Sequence, residues 1–168
     1  MSAIKSQIID DLYQKGLIQF GRFYVLNDIL AVRFHLELLP SYPRLHSKVV
    51  QLFIEKVDRS IQLDYVLATY DAIPLGTMIA DALKLPLLMQ FNSGTTPASR
   101  IIGSYDIGHP TLIISNSSDN LDILLSDCTR VGLEVEKILA IVQEKSASDK
   151  TETFINQNDI ENLRDNIL

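Results

Sequence analysis

Asp64-Tyr65-Val66-Leu67-Ala68-Thr69-Tyr70-Asp71-Ala72-Ile73-Pro74-Leu75-Gly76-Thr77 is the stretch on which the fold turns. Tyr65 to Ala68 is apolar without alternation, as in a short strand covered on both faces. Thr69 to Ala72 reads as a loop. Pro74 suits the first turn of a helix, where its missing N–H is not needed, and that helix runs to Lys84. Leu87-Leu88-Met89 is the next strand. Strand, helix and strand in succession predict a parallel pair joined by a crossover. The rhythm then repeats. Thr111 to Ile114 is a strand, Ser118 or Asp119 caps a helix that ends near Gly132, and Val135 to Val142 is another strand. Between the two units, Asn92 to Pro110 reads as a long loop rich in Gly, Ser and Thr. The expected class is α/β, a parallel sheet flanked by helices. Ligands of such sheets bind at the carboxyl ends of the strands, here Thr69–Ala72, Gln90–Gly94, Ser115–Asp119 and Gln143–Lys145.

Working outward, the N-terminal part has a different texture. Ile4, Ile8, Ile9 and Leu12 recur at helical spacing until Gly16, which predicts a helix over 2–15. Phe20 to Leu26 reads as a strand. Ala31 to Leu39 reads as a second, with Val32, Phe34, Leu36 and Leu38 alternating against Arg33, His35 and Glu37. Pro40 and Pro43 break it, and Val49, Val50, Phe53, Ile54 and Val57 predict a helix over 43–59. At the other end, Ser146 to Glu152 reads as a linker. Asn158 with Glu161 resembles a capping box for a short helix carrying Ile160, Leu163 and Ile167. One domain over 1–168 is expected: an N-terminal helix/strand/helix region (1–60), a sheet core (61–145), and a linker, short strand and terminal helix (146–168).

Composition narrows the classes. The chain has 168 residues, of which 46% are hydrophobic and 21% charged, so it has the means to bury a core. Lys and Arg number 15 against 21 Asp and Glu, a formal charge of −6. An acidic chain repels phosphate backbones, so nucleic acid is not the expected partner, despite Arg33, Arg44 and Lys48. The lone Cys128 excludes an internal disulfide and reads as a packed thiol in an amphipathic helix. His35, His46 and His109 are scattered, and no metal site is expected. Phe20, Phe23, Tyr24 and Phe34 form an aromatic group expected in the core or a subunit interface. Asp71, Asp81 and Lys84 break the longest apolar region, so no membrane span is expected. Met1 to Asp11 lacks the apolar run of a signal peptide, and a cytoplasmic location is expected.

A family resemblance appears in the order and spacing of several fragments. Gly16-Leu17-Ile18-Gln19-Phe20-Gly21-Arg22-Phe23 looks like the opening segment of orotate phosphoribosyltransferases. Asp64 to Leu67 with Ile73 to Thr77 resembles their first sheet strand and following helix. Arg100-Ile101-Ile102-Gly103, Thr111 to Ile114, Gly132 to Val135, and Phe154-Ile155 with Asn158 to Leu163 continue the likeness to the end of the chain. The resemblance implies a type I phosphoribosyltransferase fold with a small N-terminal α+β hood, and a homodimer. It also implies transfer of ribose 5-phosphate from phosphoribosyl diphosphate to orotate, in pyrimidine nucleotide synthesis, with magnesium.

That chemistry needs cations beside the diphosphate, acids on the ribose hydroxyls and a phosphate-binding turn. The matching positions depart from this pattern. Where the family has two acids there are Ser115 and Asn116, followed by Ser117-Ser118-Asp119-Asn120 with no Gly. Asp71 stands at a basic position of the loop Thr69-Tyr70-Asp71-Ala72. The segment Gln90 to Ser99 holds no Lys, and only Arg100 lies near. Leu30 stands at a Lys position within Asn27 to Val32, and Glu144 at an Arg position. The expectation is a degenerate pocket made of Thr69, Tyr70, Asp71, Ala72, Ser115, Asn116, Ser117, Ser118, Asp119 and Asn120. No catalytic residue is assigned, and no cofactor is expected. The chain then serves as a binding or regulatory module, with a small anionic or nucleotide-like molecule as ligand. The alternative is a divergent orotate phosphoribosyltransferase using magnesium, its missing groups supplied by an intact homologue in a hetero-oligomer.

Overall fold

A computed structural model describes residues 3–25, 28–92, 95–119, 121–143 and 149–167. Helix α1 (Ala3–Gln14) leads into a hairpin of β1 (Ile18–Val25) and β2 (Asp28–Phe34), and α2 (Pro43–Lys56) follows. The main layer comprises β3 (Tyr65–Ala68), α3 (Ile73–Leu83), β4 (Leu87–Gln90), α4 (Pro97–Arg100), β5 (Ile101–Ile102), β6 (Pro110–Ser117), α5 (Asp122–Val131), β7 (Glu134–Val142), β8 (Thr151–Ile155) and α6 (Gln157–Ile167). The six strands lie in the order β5-β4-β3-β6-β7-β8. All neighbours are parallel except β4 and β5. The expected α/β architecture, a parallel sheet flanked by helices, is the one observed.

The unbroken apolar strands are explained by burial on both faces. Val66, Leu112, Ile114, Leu139 and Ile141 point into one core with Leu75 and Ile79 of α3, Val49 and Phe53 of α2, and Ile8 and Leu12 of α1. Their neighbours Leu67, Leu88, Ile113 and Ile138 point into the other, against Leu124 and Cys128 of α5. Helix α3 lies so close to β3 that a methyl group on Gly76 would sit 2.5 Å from Ala68 Cβ.

Connections leave the middle of the sheet in opposite directions. From β3 the chain moves to β4, and from β6 to β7 and β8. The gap beyond the ends of β3 and β6 is therefore the switch point where such sheets open a crevice.

Several expected boundaries move. The strand expected over Ala31 to Leu39 ends at Phe34, and Leu36–Ser41 is a 3-10 helix. Leu36 and Leu39 are buried while Leu38 is 47% exposed, a spacing of three rather than two. Neither Ser118 nor Asp119 caps α5, because the helix starts at Asp122 behind Leu121. The box expected at Asn158 and Glu161 lies two residues earlier. Asn156 Oδ1 accepts from the Asp159 N–H at 3.0 Å, and Asp159 Oδ2 accepts from the Asn156 N–H at 2.9 Å. The loop expected over Asn92 to Pro110 contains α4 and β5. Thr151 and Glu152, expected in a linker, belong to β8. The N-terminal aromatic group divides: Phe20 and Phe34 pack on the core, while Tyr24 is 77% exposed.

The histidines separate into three settings. His35 Nδ1 meets Glu37 at 3.1 Å, and His109 Nδ1 meets Asp64 at 2.7 Å. His46 is buried on α2, and burial pushes its pKa down. Among the described residues, no three His, Cys, Asp or Glu gather where a metal could be held. Among the same residues, no helix is long and apolar enough to cross a membrane.

Candidate functional site

A cleft of about 330 Å3 opens at the switch point, lined by Thr69, Tyr70, Asp71, Gln90, Asn92, Ser115, Ser117, Asp119 and Leu121. It is placed by the two strands that the sequence identifies most clearly, β3 and β6. The Thr69 N–H donates to the Ile114 carbonyl at 2.9 Å, which carries the pairing of these strands one step past the end of β3.

The turn after β3 is held on itself. Thr69 Oγ1 donates to Asp71 Oδ1 at 2.7 Å, with Ser115 Oγ 3.3 Å away. The Ala72 N–H donates to the Thr69 carbonyl at 2.9 Å. Asn116 Nδ2 donates to the Asp71 carbonyl at 2.8 Å and so ties this turn to β6. Ser115 Oγ donates to the Ser117 carbonyl at 2.6 Å, and Ser117 Oγ accepts the Asp119 N–H at 3.1 Å. The side chains at the two positions expected to replace an acidic pair are thus buried and engaged in shaping the loop.

Of the ten residues expected to form the pocket, Thr69, Tyr70, Asp71, Ser115, Ser117 and Asp119 line the cleft. Ala72 and Asn116 are buried outside its lining, as is Ser118, whose Oγ has no hydrogen-bond partner among the described residues. Asn120 lies outside the described residues, as do Asn27 and Glu144. Gln90 and Asn92 complete the lining from the end of β4, one of the strand ends that the topology singles out.

Among the described lining residues, charge is of one sign. Asp71 and Asp119 are carboxylates, and the described lining holds no Lys, Arg or His. Arg100, the cation expected nearest the loop after β4, is committed elsewhere. Its Nε donates to Asp127 Oδ2 at 2.6 Å and its Nη2 to Oδ1, a two-pronged pair with a buried carboxylate of α5. The guanidinium holds the Asp127 carboxyl below the usual carboxylate range, and the carboxylate raises the guanidinium in return. Sequence reading missed this pair because no local pattern links the end of one short helix to the middle of another.

At the rim, the Tyr70 ring is 56% exposed and stands edge-on to Phe91, with centroids 6.1 Å apart at 74°. It leaves an aromatic surface beside the polar lining.

Comparison with solved structures decides the fold. UMP synthase from Leishmania donovani superposes with a TM-score of 0.81 over 99% of this chain and 39% of that one, at 19% identity. An orotate phosphoribosyltransferase from Aeropyrum pernix gives 0.77 over 94% of this chain and 98% of that one, at 14% identity. The fold is that of a type I phosphoribosyltransferase, in the orotate phosphoribosyltransferase-like form. In sequence, the orotate phosphoribosyltransferase of Caenorhabditis elegans is 27% identical over 117 residues, covering 67% of this chain. The chain spans about half the length of that curated relative, 52%. No protein-family model matches it. The phosphoribosyltransferase fold is therefore present with its crevice at the switch point, while the crevice carries carboxylates, hydroxyls and amides.

Proposed function

We propose that this orotate phosphoribosyltransferase-like chain does not catalyse phosphoribosyl transfer and serves as a binding or regulatory module. One observation supports the reading above the others: the cleft is lined by Asp71 and Asp119 and, among its described residues, by no cationic side chain. Transfer from a sugar diphosphate requires stabilising several negative charges as the diphosphate departs. Preorganised donors and cations supply that stabilisation in an enzyme. A carboxylate about 4 Å from one unit of that charge costs roughly 4 kcal/mol at an effective dielectric near 20.

The acidic pair that the resemblance implies beside magnesium is absent from this cleft. The positions expected to carry acids are Ser115 and Asn116, engaged with the Ser117 and Asp71 carbonyls. Asp71 Oδ1 is already taken by Thr69.

The deciding assay supplies orotate, phosphoribosyl diphosphate and magnesium to the purified chain and follows orotidine 5′-phosphate. No turnover is expected. A rate above about 1 s⁻¹, the lower range of ordinary enzymes, refutes the proposal. The likeness to the curated C. elegans transferase supports a second reading, a divergent orotate phosphoribosyltransferase acting in pyrimidine nucleotide synthesis. That reading requires an intact homologue in the same assembly, because a second copy of this chain brings the same residues. Turnover appearing only when such a homologue co-purifies favours it. A homodimer in the cytoplasm remains the assembly and location we propose.

A further inference from the structure

We propose that copies of this chain meet through unlike surfaces: the outer face of the β1–β2 hairpin of one copy seats in an acidic groove, apolar in its lining, on another. This contact is independent of what the cleft binds and of whether the cleft catalyses.

The groove lies at the opposite end of the sheet from the cleft, where α5 ends and β7 and β8 begin. Its volume is about 840 Å3. Leu133 and Ile138 line it from the core, Leu125 and Val135 are half-buried, and exposed Ile107 lies against Gly132. Glu134, Glu136 and Asp149 share the lining, all exposed and none in an ion pair among the described residues. Lys150, the cation of the described lining, spends its Nζ on the Val135 carbonyl at 2.6 Å. The groove therefore offers apolar surface and unpaired negative charge together.

The hairpin offers the complement. Phe20, Val32 and Phe34 pack on the core, so Arg33, between Val32 and Phe34 on β2, turns outward. Arg22, in the bulge of β1, is exposed as well, and neither arginine has an ion pair among the described residues.

The apolar surface points the same way. Of the large apolar side chains described, Ile107 and Tyr24 are the most exposed, at 81% and 77%. One belongs to the groove and the other to the hairpin. Tyr and Arg are the side chains that most often anchor an interface, and opposite potentials set partner and register. Like patches placed together would set Arg against Arg or Glu against Glu, so the contact joins unlike faces. Each copy carries one of each, and such contacts run on from copy to copy or close reciprocally in a two-fold pair.

The test is sedimentation of the full chain at low salt and about 100 μM, because contacts of this kind reach down to micromolar Kd. Arg22→Glu/Arg33→Glu and Glu134→Arg/Glu136→Arg are each expected to lower the weight-average mass below that of the parent, with association weakened at least about tenfold. The groove variant brings the net charge of −6 closer to zero, so general repulsion between copies cannot cause its loss. An equimolar mixture of the two variants is expected to restore association, since the reversed hairpin then faces the reversed groove. Circular dichroism confirms that each variant is folded. Where a double variant is not, Arg33→Glu and Glu136→Arg give the same comparison. A parent that stays monomeric leaves the groove to another protein and overturns the proposal. So does a folded variant that sediments like the parent, which places the contact between copies on another face. A mixture no heavier than its components overturns it too.

Discussion

At the scale of single residues, the cation expected nearest the loop after β4 is held by a carboxylate of α5 and does not line the cleft. Arg100 grips Asp127, a carboxylate 1% exposed, through two nitrogens. Asp127 has a folded pKa below its unfolded value of about 3.9. The contact therefore contributes stability that is fully present above that unfolded value, and this is lost as pH falls through the folded value. Asp127→Asn is expected to melt lower than the parent at pH 7. The gap should close as pH falls below about 4, and paired thermal melts from pH 7 to pH 2 check both parts. Cys128 illustrates the same dependence on surroundings. Burial, with the nearby Asp127 charge, pushes its thiol up to about 12. A thiol-specific disulfide reagent at pH 8 should leave it unmodified in the native chain and label it on unfolding in urea.

At the scale of elements, legibility followed how local the cause was. Strand β3 was readable residue for residue because four consecutive apolar side chains, buried on both faces, leave little other choice. The 3-10 helix over Leu36–Ser41 was not, since Leu36 and Leu38 fit an alternating strand and only packing shows that Leu36 and Leu39 are the buried pair. The start of α5 differs from the expectation because Ser118 and Asp119 both have capping chemistry, yet the Asp119 N–H is bound by Ser117 Oγ before the helix begins at Asp122. Six of the ten residues expected in the pocket line the cleft, all within strand ends that the topological rule singles out. The rule places loops but not side chains, so it could not tell that Asn116 turns back to the Asp71 carbonyl. Packing between elements also reverses a common expectation at Gly76. In an open helix, Gly→Ala stabilises by about 1 kcal/mol. Here the added carbon would stand 2.5 Å from Ala68 Cβ, and the facing atom sits on a central strand that has little room to yield. Gly76→Ala is expected to destabilise by about 1–3 kcal/mol, measured by urea unfolding with an unchanged slope.

At the scale of the whole molecule, the apolar framework and the polar site answer to different physical requirements. Two cores on the faces of one sheet depend on side-chain volume and apolarity, which substitutions among Val, Ile and Leu preserve. The crevice depends on the sign of a few charges, and a handful of substitutions reverses it without disturbing either core. The net charge of −6 adds a weaker repulsion in the same direction, most felt at low salt. Under the proposed loss of transfer, phosphoribosyl diphosphate meets the Asp71 carboxylate in the cleft and the net negative charge of the chain. Stabilisation by a ligand follows RT ln(1 + [L]/Kd), so a site holding it at 100 times its Kd would gain about 2.7 kcal/mol. For a chain of this size, that gain raises Tm by roughly 5–10 °C. We expect no shift with 1 mM phosphoribosyl diphosphate and magnesium, in buffers from 20 to 200 mM salt. Because screening weakens both sources of repulsion, a shift emerging only at the higher salt would show that charge alone, and not lost contacts, keeps the diphosphate out.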